Sequence, residues 1–185
     1  MRRLGIGAVC IACLCAQAPA EGVSVTEQSK LYDVEGKDAH ELRANLDAQG
    51  PEDEHGRHDA LTKWYVKWHY DYDRGDRCRL KNIRVTLDIK RTMPRWVAET
   101  PELVERWHRY LDALKTHEDG HAKNGHDCAR AILARLQALA PQADCDRAEE
   151  LANAQGNAEL DTARQRDASY DAETHHGRTQ GATFR

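Results

Sequence analysis

Three things are missing from this 185-residue chain, and each removes a class of function. No apolar run is long enough to cross a bilayer as a helix, because the longest, Leu4 to Ala16, falls short of the ~20 residues required. There is no excess of positive charge. The formal net charge is −4, which argues against sequence-independent nucleic-acid binding and against an anionic membrane surface as partner. There is also no internal repeat and no low-complexity linker, so a single domain is expected. With 40% apolar and 31% charged residues, the composition is neither that of a disordered tail nor that of a multi-span membrane protein.

The short apolar run has its own meaning. It follows Met1-Arg2-Arg3 and ends in small residues, Ala16-Gln17-Ala18-Pro19-Ala20. That is the form of a secretory signal peptide over residues 1–20, with cleavage expected after Ala20 and a mature domain over residues 21–185. Loss of Arg2 and Arg3 with no acidic residue moves the net charge to −6. The expected location is secreted or periplasmic. Cys78, Cys128 and Cys145 remain in an oxidising compartment, which suits one disulfide and one free thiol.

Periodicity divides the mature chain. Leu31 to Val34 reads as a short strand. Asp38 is placed to cap a helix from Ala39 to about Ala48, and Glu52 to Asp59 reads as polar loop. Thr62 to Tyr72 alternates, with Thr62, Trp64, Val66, Trp68, Tyr70 and Tyr72 on one face. Cys78 to Arg91 alternates likewise through Ile83, Val85, Leu87 and Ile89, and the two segments are expected to pair as an antiparallel hairpin with one wet face. After Pro94 the period becomes helical: Leu103, Trp107, Tyr110, Leu111 and Leu114 continue into His117, Glu118, His121, Gly125, Cys128 and Ile132. A weaker helix is expected from Asp144 or Asp146 through Leu160, and Ser169 to Arg185 shows no period.

One motif carries chemistry, His117-Glu118-Asp119-Gly120-His121, or H-E-x-x-H. On a helix, residues four apart lie on one side, so two imidazoles can reach one ion. Zn²⁺ accepts neutral imidazole and keeps a position for water when the protein supplies three ligands. Glu118, ~100° round the helix from His117, is aimed at that water rather than at the ion. The chemistry is then a metal-activated water attacking a peptide bond, with Glu118 as general base. The third ligand is open on spacing alone. His126 and Asp127 require the helix to break near Gly125, and the tail offers His175 and His176. Tyr170 has a phenol suited to donating to an oxyanion.

The chain resembles a bacterial family of unknown function whose members are regarded as secreted zinc-dependent proteases. The resemblance spans nearly all of the mature chain. It rests on Tyr32-Asp33-Val34-x-Gly36, Thr62-x-Trp64-x-Val66-x-Trp68, Cys78 and the strand after it, and Pro94-Arg95-Trp96. It continues with Trp107-x-x-Tyr110, Leu114-x-x-His117-Glu118-x-Gly120-His121, Cys145, and Tyr170-Asp171-x-x-Thr174-x-His176-Gly177-x-x-Gln180-Gly181-Ala182. The resemblance implies His176, rather than His175, as the functional tail residue. It also implies a Cys78–Cys145 disulfide, with Cys128 as an extra thiol.

The expected fold is α+β: a small antiparallel sheet packed against a zinc-binding helix, further helices, and an irregular C-terminal segment returning over the site. The expected function is a secreted zinc metallopeptidase with His117, His121 and His176 on the metal, Glu118 as base, and a peptide or protein as substrate. The competing reading is a non-catalytic periplasmic metal-binding or interaction domain. A fourth protein ligand, Asp171 or His175, would favour it.

Overall fold

The computed structural model describes residues 22–97 and 101–184. The expected leader, residues 1–20, lies outside the described residues. In chain order the elements are β1 (Gly22–Val34), α1 (Ala39–Gln49), β2 (Glu52–Asp53), β3 (Gly56–Arg57), β4 (Leu61–Arg74), β5 (Cys78–Trp96), α2 (Pro101–Gln137) and α3 (Cys145–Thr174). A 3-10 turn follows over Arg178–Gln180. The architecture is α+β. Among the described residues no helix is long and apolar enough to cross a membrane.

β5 is the centre of a three-stranded sheet. β4 pairs with it antiparallel, as the alternating residues predict, and Trp64 lies opposite Ile89, Val66 opposite Leu87 and Trp68 opposite Val85. β1 lies parallel on the other side of β5. Only its last four residues read as strand in the sequence. The rest, Val-Ser-Val-Thr-Glu-Gln-Ser-Lys, is largely polar and exposed, and its extended form comes from the ladder to β5. The polar loop expected over Glu52–Asp59 contains a minimal hairpin, β2 with β3.

α2 runs unbroken for 37 residues. It lays one stripe against the sheet, and Ile132, Leu136 and Cys128 pack with Val85, Leu87 and Ile89 in one core cluster. Farther toward its start, Trp107, Tyr110 and Leu114 join Val34, Leu42, Leu46, Trp96 and Phe184 in a second. Gly125 does not break the helix; it makes room for Trp64, whose Cγ would stand 2.8 Å from any Cβ placed there. Asp38 caps α1 as expected, accepting from Glu41 N at 2.9 Å. Asp59 accepts from both Arg43 on α1 and Tyr110 on α2, which ties the segment before β4 to both helices.

The largest departure from expectation is α3. The segment from Ser169 is not aperiodic: the helix capped by Asp144 continues to Thr174. Its buried residues are small, namely Ala148, Ala152, Gly156, Ala163 and Thr174, so it carries almost none of the bulky apolar period by which a helix is recognised. Small residues allow close packing instead. A Cβ on Gly156 would lie 2.7 Å from the Trp68 ring.

Cys78 and Cys145 form a disulfide and Cys128 is a buried free thiol. The bond joins the start of β5 to the start of α3, where Cys78 and Gln142 also exchange two backbone hydrogen bonds of 2.9 Å. Closing a 67-residue separation constrains the unfolded chain by about 4 kcal/mol in the chain-entropy model. Replacing both cysteines with alanine is therefore expected to lower unfolding free energy by about 4 kcal/mol in urea titration. A loss below about 1 kcal/mol would show that the bond is not a principal support.

Candidate metal centre

α2 brings His117 and His121 to one side of the helix, four residues apart, and both are buried. Each ring is fixed through Nδ1. His121 Nδ1 lies 3.1 Å from Asp167 Oδ1, and a carboxylate can only accept, so that nitrogen carries the proton. His117 Nδ1 lies 3.1 Å from Gln180 Oε1. Acceptors on Nδ1 leave Nε2 of both rings as lone-pair donors to a metal, the outer-shell arrangement that orients metal-ligating histidines.

Those two Nε2 atoms stand 3.3 Å apart. Asp171 Oδ1 lies 3.2 Å from one and 3.1 Å from the other. Three acceptor atoms thus converge on one point. Three ligands ~2.0–2.1 Å from a tetrahedral ion stand ~3.3 Å from one another, so the spacing matches the edges of such a site. The group is able to hold a metal ion. The charge balance points the same way. Burial opposes charge on His121, but Asp167 and Asp171 outweigh it and lift its pKa to about 10. Burial likewise raises Asp171, yet His117 and His121 outweigh that and hold its carboxyl well below the usual range. The position favours positive charge, which a metal ion would supply to all three atoms at once.

Glu118 points elsewhere. It is 3% exposed, and its Oε2 has no hydrogen-bond partner among the described residues. Burial raises its pKa, against the pull of the Thr62 hydroxyl and of His121, His117 and Arg91. An unpartnered buried carboxyl oxygen is costly unless something else uses it. Glu118, His117, His121 and Asp171 all line one cavity of about 970 Å³. The same cavity is lined by every residue of β4 from Leu61 to Lys67, the strand at the sheet's edge.

The other expected site residues are placed as follows. His176 Nδ1 is 3.5 Å from Asp171 Oδ1, but the side chain is 61% exposed and lies outside the convergent group. It sits with His175 and Gly177 in three successive left-handed residues, φ 51°, 54° and 79°, which turn the chain back over α2. That turn delivers Gln180 to His117. Tyr170, expected to meet an oxyanion, has a different position. Its ring stacks on His117 at 5.0 Å, its hydroxyl reaches the His117 carbonyl at 3.3 Å, and it is not among the residues lining the cavity. Gly120 exists for this ring, since a Cβ there would lie 2.3 Å from the phenol oxygen. His126 faces Glu27 and Asp127 pairs with Lys123 and Arg130, so neither approaches the group.

Asp167 is not singled out by the sequence, and Thr174 and Gln180 enter there only as residues of the family resemblance, without a role. The signal for the acids was present: Asp167 and Asp171 are four apart on α3, the same spacing as the two histidines they face. Thr174 Oγ1 donates to Tyr170 O at 2.7 Å and accepts from Gly177 N at 3.2 Å, bracing the turn.

No curated protein and no solved structure matches the chain. The family described as Bacterial protein of unknown function (DUF922) matches residues 29–177, a span that takes in β4, β5, the H-E-x-x-H helix, α3 and the turn as far as Gly177. With most of its length covered, including His117, His121 and Asp171, the chain belongs to that family.

Proposed function

We propose that the protein is a secreted zinc-dependent peptidase in which His117, His121 and Asp171 hold the ion. The observation that carries this reading is the pairing of two features in one cavity: three acceptor atoms 3.1–3.3 Å apart and the unpartnered Oε2 of Glu118 beside them. A purely structural metal site has no use for a buried base with an empty oxygen. Bound zinc supplies a Lewis acid that polarises a carbonyl and makes water acidic near neutral pH.

The protein's own groups do the rest. Glu118 Oε2 accepts the proton of the attacking water, and the same carboxyl then donates it to the departing amine. Asp167 and Gln180 hold the two imidazoles in the tautomer that leaves Nε2 free. The edge of β4 offers backbone N–H and C=O groups to an extended peptide, so a substrate can lie along it as an added strand. Asp171 here takes the ligand role that the family resemblance gives to His176.

Metal analysis of the purified protein tests the reading: one zinc per chain is expected. Removing it with a chelator should lower the melting temperature, because a ligand bound only by the folded state stabilises that state, and zinc alone should restore it. Protein that neither carries zinc nor takes it up would overturn the proposal. Zinc-loaded protein that cleaves no peptide would leave the non-catalytic metal-binding reading in its place.

A further inference from the structure

We infer that β1 is a self-pairing edge: two copies of the chain associate through antiparallel β1 strands about a two-fold axis at Gln28. β1 pairs with β5 along one side only, and among the described residues its other edge has no strand partner. It is thirteen residues long, and its register to β5 runs without a shift. It contains no proline, and Ser24 to Leu31 are all exposed. Edges of this length are ordinarily shortened, bulged, interrupted or covered.

The choice of a second copy as partner comes from the side chains. Val25 and Leu31 are 43% and 52% exposed, two of the few large apolar residues left in solvent. They lie opposite Leu87 and Met93 of β5, both buried, so they point to the core face of the sheet, on either side of Glu27, which His126 of α2 reaches. They also stand three residues on either side of Gln28, which is the midpoint of β1. A two-fold axis normal to a sheet keeps each side chain on its own face and makes the contact self-complementary. Placed at Gln28, it sets Val25 against Leu31 of the partner subunit, twice. Glu27 then faces a serine and Lys30 a threonine, so no like charges meet.

Neighbouring axes fail. At Glu27 the axis opposes two glutamates, at Lys30 it opposes two lysines, and at Ser29 it sets both Val25 and Leu31 against acids, Asp33 and Glu27. Gln28 pairs Val25 with Leu31 and opposes no like charges, leaving only the half-buried Val23 against Asp33. The product is a continuous six-stranded sheet with β4 outermost in each copy, so both cavities stay open and far from the junction.

Sedimentation equilibrium of the purified protein is expected to give a concentration-dependent molar mass that rises to twice that of one chain. Val25→Lys and Leu31→Glu should each return it to the monomer, because a charge would face an apolar partner. Combining Val25→Lys with Leu31→Glu should restore the dimer, since this register alone brings the two new charges together across the axis. Gln28→Cys should cross-link to itself under oxidising conditions, visible on a non-reducing gel, whereas Lys30→Cys should not. A monomer at every concentration, a dimer that survives Val25→Lys, or cross-linking at position 30 in preference to 28 would each overturn the assignment.

Discussion

Glu118→Gln is expected to keep its zinc and to lose about 10³-fold in kcat on any peptide the wild-type protein cleaves, within the range assigned to a positioned general base. The substitution preserves shape, and Glu118 is not one of the three convergent ligands, so metal content should not change. What changes is Oε2 or its counterpart. The wild-type oxygen is buried without a partner and is free to take a proton; an amide cannot. KM should move little, because the loss falls on an interaction made in the transition state. Steady-state kinetics with zinc quantified on the same sample decides the matter. Cleavage at the wild-type rate with zinc in place would remove Glu118 as base while leaving the metal site standing.

The second large effect separates two histidine-and-carboxylate assignments. Asp171→Ala should weaken zinc binding by about 100-fold or more, since a catalytic zinc site held by three protein ligands loses one of them. His176→Ala should change it by less than about 3-fold, because that ring is largely exposed and touches the group only through Asp171 at 3.5 Å. Competition against a chromophoric chelator measures both. If His176→Ala proves as damaging as Asp171→Ala, then His176 swings in to ligate, as the family resemblance implies, and Asp171 shares the ion with it.

The contrast between these residues shows where the sequence was legible. His117, Glu118 and His121 could be read because the helix beneath them is written in large apolar residues, Trp107, Tyr110 and Leu114, at spacings of three and four. β4 and the first part of β5 could be read because their alternation is strict. Asp171 was harder because α3 buries alanine and glycine rather than leucine. Among its contacts with the sheet are those made by the tryptophans of β4, which donate to Asp167 and Asn153. The stripe exists, through Ala148, Ala152, Gly156 and Ala163 to Asp167 and Asp171, but small residues exert little weight in a hydrophobic period. β1 was hidden for another reason. Its extended form is imposed by backbone pairing with β5, over residues whose side chains carry no pattern of burial.

The polypeptide is made in one direction, and that order has a consequence for the centre. His117 precedes its Gln180 acceptor by 63 residues, which at ~5–20 residues per second is a wait of roughly 3–13 s during synthesis. Asp167 and Asp171 follow His121 by 46 and 50 residues, so Gln180 is the last of these partners to be made. A nascent chain that has not reached residue 180 displays H-E-x-x-H in full and lacks the support for one of its two imidazoles. The convergent group is thus complete only when the C-terminal turn is in place, and a chain cut short before residue 180 would carry the motif without the acceptor of His117 Nδ1.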